Sequence, residues 1–157
     1  MSKLILACPY GNISKALTKW LRENHPEIDI ITPDPFPFKL EKLADLLKDP
    51  HVRYFVNACG PGSEKDSYDQ VHTFYSANVM GVVNQLEMVR RFNPGCRYLC
   101  LGSIYENTSK SPYASSKRMS RDAVKTYRDV HGLYALQATL GFTEYYGRAP
   151  EYLSKRI

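Results

Sequence analysis

No run of apolar residues in this 157-residue chain approaches the ~18 needed to span a bilayer as a helix, so a membrane partner is not expected. Cysteine is scarce. The four residues Cys8, Cys59, Cys96 and Cys100 form no CxxC pair, and no His stands at a zinc-ligand spacing, which argues against a metal site and against a disulfide scaffold. The chain also lacks any basic cluster. Its 21 Lys and Arg exceed its 16 Asp and Glu for a net charge of +5, but they are spread along the sequence, and nucleic acid is not an expected partner. Repeats, linkers and low-complexity tracts are missing as well, so the length reads as one domain. The opening residues MSKLILACPYG are too short for a signal peptide and read as a first strand. Three of the cysteines lie in or beside apolar runs, as free thiols of a reducing compartment would, and the cytoplasm is the expected location.

What is present is an alternation of two patterns. Short apolar runs at Lys3–Cys8, Ile28–Thr32, Tyr54–Ala58, Arg97–Leu101 and Leu133–Leu140 predict five strands. Between them lie segments of helical period. Asn12–Asn24 places Ile13, Ala16, Leu17, Trp20 and Leu21 on one face; Leu40–Lys48 follows a proline-rich stretch, PDPFPF, that must be irregular. Tyr68–Phe92 predicts one long helix carrying Val71, Tyr75, Val79, Val82, Val83, Leu86 and Val89, and Pro112–His131 predicts a last helix closed by Gly132. The strands are continuous apolar runs without polar alternation. That is the pattern of a parallel sheet covered on both faces, so the expected fold is a Rossmann-like, doubly wound α/β domain.

Several residues could carry chemistry. In the first strand-to-helix turn, Gly11 and the small Ser14 could let a dinucleotide pyrophosphate approach the helix N-terminus; Cys8 stands where a further glycine would be expected and brings a Cβ into a tight turn. Asp34, after the second strand, could accept hydrogen bonds from an adenosine ribose. Tyr113 and Lys117 are four apart and share a helical face. An ammonium beside a phenol stabilises the phenolate and draws its pKa toward neutrality, which suits acid–base work. Ser103, just past the fourth strand, could hydrogen-bond a substrate oxygen, and Glu106 could act as a second acid–base. Each has a bland alternative, as a turn residue, a surface pair or a loop hydroxyl.

With Tyr113 and Lys117 placed, the chain resembles the extended short-chain dehydrogenase/reductases, in particular the nucleotide-sugar epimerase/dehydratase branch and, within it, the GDP-mannose 4,6-dehydratases. Asn78-Val-Met-Gly-Val-Val-Asn-Gln-Leu-Glu-Met-Val-Arg90 resembles that branch's NVxGTxNLLEAxR helix, and Ser111-Pro-Tyr-Ala-Ser-Ser-Lys117 its SPYAxxK. Tyr127–Ala135 resembles YRExYGxYA, Leu153–Ile157 resembles VTRKI, and Asn57-Ala-Cys-Gly60 resembles NxAG. The resemblance implies bound NAD or NADP, with Gly11, Ser14, Asn57 and Ala58 in the cofactor site. It further implies Tyr113 as acid–base, Lys117 on the nicotinamide ribose and Ser103 at a nucleotide-sugar substrate. There are departures. The GxxGxxG turn is reduced to Cys8-Pro-Tyr-Gly11-Asn-Ile-Ser14, the adenine-contacting Asp is absent near Pro37-Phe38, and the family's sugar-nucleotide half would begin where this chain ends. A completing partner chain or a homo-oligomer is therefore expected. The competing expectation is a catalytically silent binding or assembly module, a viral particle component for instance.

Overall fold

A computed structural model of the chain describes residues 1–33 and 39–141. Five strands form one all-parallel sheet: β1 (Ser2–Ala7), β2 (Ile28–Ile31), β3 (Val52–Asn57), β4 (Arg97–Leu101) and β5 (Ala135–Ala138), in the order β2-β1-β3-β4-β5. The expected Rossmann-like, doubly wound α/β domain is what forms. α1 (Asn12–Asn24) crosses from β1 outward to β2. α2 (Leu40–Leu47), α3 (Val71–Tyr75), α4 (Gly81–Phe92), the single-turn α5 (Tyr105–Thr108) and α6 (Pro112–His131) accompany the crossings in the other direction. Right-handed crossovers that run opposite ways along a sheet land on opposite faces. The core is accordingly split in two. Ile5, Phe55, Tyr98, Leu43, Leu86 and Val124 pack on the face of α2, α4 and α6, while Leu4, Leu6 and Val56 pack with Leu21 of α1.

Local signals set both ends of α6. Ser111 caps α6 by accepting a hydrogen bond from the Ala114 amide at 3.2 Å, Pro112 occupies its first position, and Gly132 ends it at φ +69°. Two expectations need correction. Trp20 does not face the core. It is half exposed and packs against the His25 ring, because α1 meets the sheet along the line of Ser14 and Leu21. The region from Tyr68 to Phe92 is not one regular helix. A 3₁₀ turn at Asp66–Tyr68 precedes α3, and a π-helical segment, Ser76–Met80, joins α3 to α4. The wide turn shifts the buried stripe by one residue. Phe74 and Asn78 point inward where the regular spacing through Val82 had assigned Tyr75 and Val79.

Candidate active-site cleft

At a reversal of strand order, two neighbouring strands send their connections to opposite faces and leave a crevice at their C-terminal ends. In this sheet the reversal lies between β1 and β3. A cleft of about 510 Å³ opens there, bounded by the first turn of α1, the Ala58–Ser63 loop after β3, the Leu101–Tyr105 turn after β4, and Tyr113 and Lys117 of α6. The size suits a small-molecule or cofactor site.

Each wall has a local cause. Gly11 is the N-cap of α1 and offers no side-chain cap, and no acidic residue occupies the helix's first turn; Gly11, Asn12, Ile13 and Ser14 all line the cleft. This end of α1 presents the positive pole of its helix dipole to the cleft, as an anion site requires. Ser14 is buried and its Oγ donates to the Cys8 carbonyl at 2.7 Å, which ties the helix to the end of β1. Cys8 itself has φ +63°, the left-handed conformation that the missing glycine would have adopted freely.

At the end of β3, Ala58 of the following loop lines the cleft while the Asn57 side chain turns inward. Its Nδ2 donates to the Tyr98 hydroxyl at 3.1 Å and its Oδ1 accepts from the Cys59 amide at 3.0 Å. Asn57 thus shapes the loop and does not face the cleft. Gly60 (φ +113°) lets that loop close over Asn78, a side chain that sequence reasoning left unassigned. Asn78 Nδ2 donates to Ser116 Oγ at 3.0 Å. Asn78 lies four residues before Val82 on the buried side of the helix, but as a polar residue it was not picked out by the apolar spacing.

Tyr113 and Ser103 both line the cleft, and both are buried. Burial raises the Tyr113 phenol above its ordinary pKa; the neighbouring Ser103 side chain acts in the opposite sense. Lys117 lies on the same helical face, but its Nζ donates to the Leu101 carbonyl at 3.0 Å. Burial lowers its pKa, against the opposing influence of Cys100, Glu106 and Cys59. Lys117 is therefore within the cleft yet engaged by β4, and the lowering of the phenol's pKa expected of this pair is not found in this arrangement.

Glu106 does not join the cleft as a second acid–base. Its carboxylate is buried beneath it, where Oε1 accepts from the Ser103 amide at 2.6 Å and from Gln137 Nε2 at 2.8 Å, with Arg121 3.4 Å from Oε2. It fixes the turn that presents Ser103. Asp34 and the Leu153–Ile157 ending fall outside the described residues.

A parallel sheet with a helix N-terminus, Tyr113, Ser103 and a buried Lys117 around its switch-point crevice defines a Rossmann-type domain. The model of the NAD dependent epimerase/dehydratase family matches residues 13–151, and the chain belongs to that family. Solved structures share the fold at low identity. RMD from Pseudomonas aeruginosa, complexed with NADPH, is 18% identical with a TM-score of 0.75, over 90% of this chain and 54% of that one. UDP-glucose 4-epimerase from Brucella ovis, in complex with NAD, is 13% identical with a TM-score of 0.75, over 90% and 51%. dTDP-glucose 4,6-dehydratase from Bacillus anthracis, in complex with NAD, is 18% identical with a TM-score of 0.70, over 88% and 54%. The chain thus spans about half the length of these structures. Among curated proteins none matches it in sequence. Among the described residues no helix is long and apolar enough to cross a membrane.

Proposed function

We propose that the chain is the dinucleotide-binding half of an NAD(P)-dependent oxidoreductase that acts on a nucleotide sugar, in the manner of an epimerase or dehydratase. The observation that carries this reading is that Tyr113, Ser103 and Lys117 line one cleft together with the N-terminus of α1. The residues present fit the cofactor. The uncapped first turn of α1 would hold the pyrophosphate, Ala58 and Gly60 would leave room for the ribose, and Lys117 would reach the nicotinamide ribose on leaving the Leu101 carbonyl.

A nicotinamide dinucleotide would supply a hydride acceptor or donor for a sugar carbon. The chain's part is proton movement and positioning. Tyr113 Oη would take the proton of the sugar hydroxyl as that carbon is oxidised and return it on reduction, and Ser103 Oγ would hold the same oxygen. Lys117, once close to Tyr113, would favour the phenolate. The finer assignment to the GDP-mannose dehydratases rests on the Asn78–Arg90, Ser111–Lys117 and Tyr127–Ala135 motifs.

Calorimetric titration with NAD, NADH, NADP and NADPH tests the reading, alongside Lys117→Ala. Micromolar binding of one dinucleotide, weakened about tenfold in the variant, is the expected result, equivalent to about 1.4 kcal/mol. Absence of binding to all four would overturn it. A second reading, a silent assembly module, is favoured by one observation: Cys8 holds a left-handed backbone at the position where the family's turn needs glycine.

A further inference from the structure

Cys8 and Cys59 end up side by side although 50 residues separate them. β1 pairs with β3 in parallel register, Ala7 opposite Asn57, and the Ala58 amide donates to the Ala7 carbonyl at 3.3 Å. The two cysteines follow these last pairs at the ends of neighbouring strands, and the Cys8 thiol is near enough to act electrostatically on that of Cys59. Both are partly exposed free thiols, whereas Cys96 and Cys100 are buried. Cys59 lines the cleft, and Cys8 occupies the strained turn whose carbonyl anchors Ser14 of α1.

We propose that Cys8 and Cys59 form a reversible disulfide across the floor of the cleft, and that this bond switches dinucleotide binding off. The bond would fix the end of β1 to the loop after β3. Through the Ser14–Cys8 hydrogen bond it would also fix the first turn of α1, which must adjust to admit a pyrophosphate past a Cβ that glycine would lack. The oxidant is a low-molecular-weight disulfide of the glutathione class. The Cys8 thiol loses its proton, its sulfur attacks one sulfur of the oxidant, and a thiolate leaves and takes up a proton. The Cys59 thiol then loses its proton, its sulfur attacks the Cys8 sulfur, and a second thiol leaves. Two cysteines are oxidised by two electrons, and one external disulfide is reduced to two thiols. Burial raises the Cys59 pKa and makes the closing step slow, which suits a response to sustained oxidation.

The switching half rests on the dinucleotide reading above; the disulfide does not. The full chain is incubated with oxidised glutathione, blocked by alkylation and digested with trypsin. The expected product links Leu4–Lys15 to Tyr54–Lys65 and separates again in dithiothreitol. A bridge to the 98–110 peptide, which contains Cys100, or glutathione left on Cys8 without closure, would overturn the proposal. NAD, NADH, NADP and NADPH are then titrated into the oxidised and reduced protein. Affinity lower by about tenfold or more in the oxidised form is expected. The difference between oxidised and reduced protein should vanish in Cys59→Ser and, separately, in Cys8→Ser. Linked peptides with unchanged affinity would overturn the switch. If the reduced protein binds no dinucleotide while the peptides still link, the functional reading and the switch fall together and the disulfide stands.

Discussion

Replacing Gly60 by Ala tests how the loop after β3 is held over the cleft. Gly60 has φ +113°, and a Cβ built there would lie 1.9 Å from Asn78 Oδ1. Two costs follow. The backbone strain of a side chain in that region is about 1–3 kcal/mol. Asn78, itself buried, must also yield, and its 3.0 Å hydrogen bond to Ser116 is broken with both groups buried, which costs about 1–3 kcal/mol. The smaller conformational freedom of the unfolded alanine chain offsets about 0.4–1 kcal/mol. The net loss is about 2–5 kcal/mol, a fall in Tm on the order of 10 °C. Denaturant unfolding of the wild type, Gly60→Ala, Asn78→Ala and the double variant measures both parts. In the Asn78→Ala background the clash is gone and only the strain is left, so the cycle should return a coupling of about 1–3 kcal/mol. A loss under about 1 kcal/mol for Gly60→Ala, or two substitutions that simply add, would refute the argument that these residues close against each other.

Other outcomes follow from the same geometry. Cys8→Gly relieves about 1–2 kcal/mol of left-handed strain against about 0.5–1 kcal/mol of added unfolded-chain entropy, so stability should hold or rise by up to about 1 kcal/mol; a loss in urea unfolding would contradict this. Glu106→Ala withdraws the acceptor of the Ser103 amide and of Gln137, and unfolding should show a loss of about 2–4 kcal/mol. Hydrogen bonds from Arg90 and Arg91 hold the Glu87 carboxyl down to about 2. Its folded pKa is depressed, so its contribution is present above the unfolded value near 4 and is lost as pH falls toward 2. For this largely solvated group the contribution is about 1 kcal/mol or less, and Glu87→Gln should be less stable than wild type at pH 6 and equal to it at pH 2. Tyr113→Phe should leave dinucleotide affinity within about twofold, since the phenol is assigned to proton transfer; a larger loss by calorimetry would move Tyr113 into the binding machinery.

The fold was legible because the strands are continuous apolar runs, and only a sheet covered on both faces asks for that pattern. The ends of α6 were legible too, since Ser111, Pro112 and Gly132 act locally. The phase of the helix after β3 was not. A π-helical turn inserts its extra residue without any sequence sign that periodicity can detect, and across it Phe74, in place of Tyr75, is the buried residue. Gly11, Ser14, Ala58, Ser103, Tyr113 and Lys117 line one cleft; spacing alone had paired Tyr113 with Lys117, and the place of Ala58 was an implication of the family resemblance. Glu106 and Asn57 do not line it, for a shared reason. A buried polar side chain must find partners, and the backbone amides of Ser103 and Cys59 lay within reach of their oxygens. Which polar residue faces the cleft and which braces it from below is decided by such tertiary partners.

The position of the cleft and the quality of its first turn have different origins. The crevice follows from strand order alone, since crossovers leave β1 and β3 toward opposite faces whatever residues fill the turns. Glycine is needed only for the turn's backbone angle and for clearance above it. The left-handed angle persists at Cys8 without glycine, held by the Ser14 hydrogen bond to its carbonyl. The geometry of an anion-binding helix end is therefore in place without glycine, and what differs is the clearance, which the Cys8 side chain reduces. Affinity for a dinucleotide should accordingly be limited by that thiol more than by the helix. Cys8→Gly should then bind the preferred dinucleotide about tenfold more tightly than wild type in calorimetry, a gain of about 1.4 kcal/mol. Equal affinity would place the limit elsewhere in the cleft.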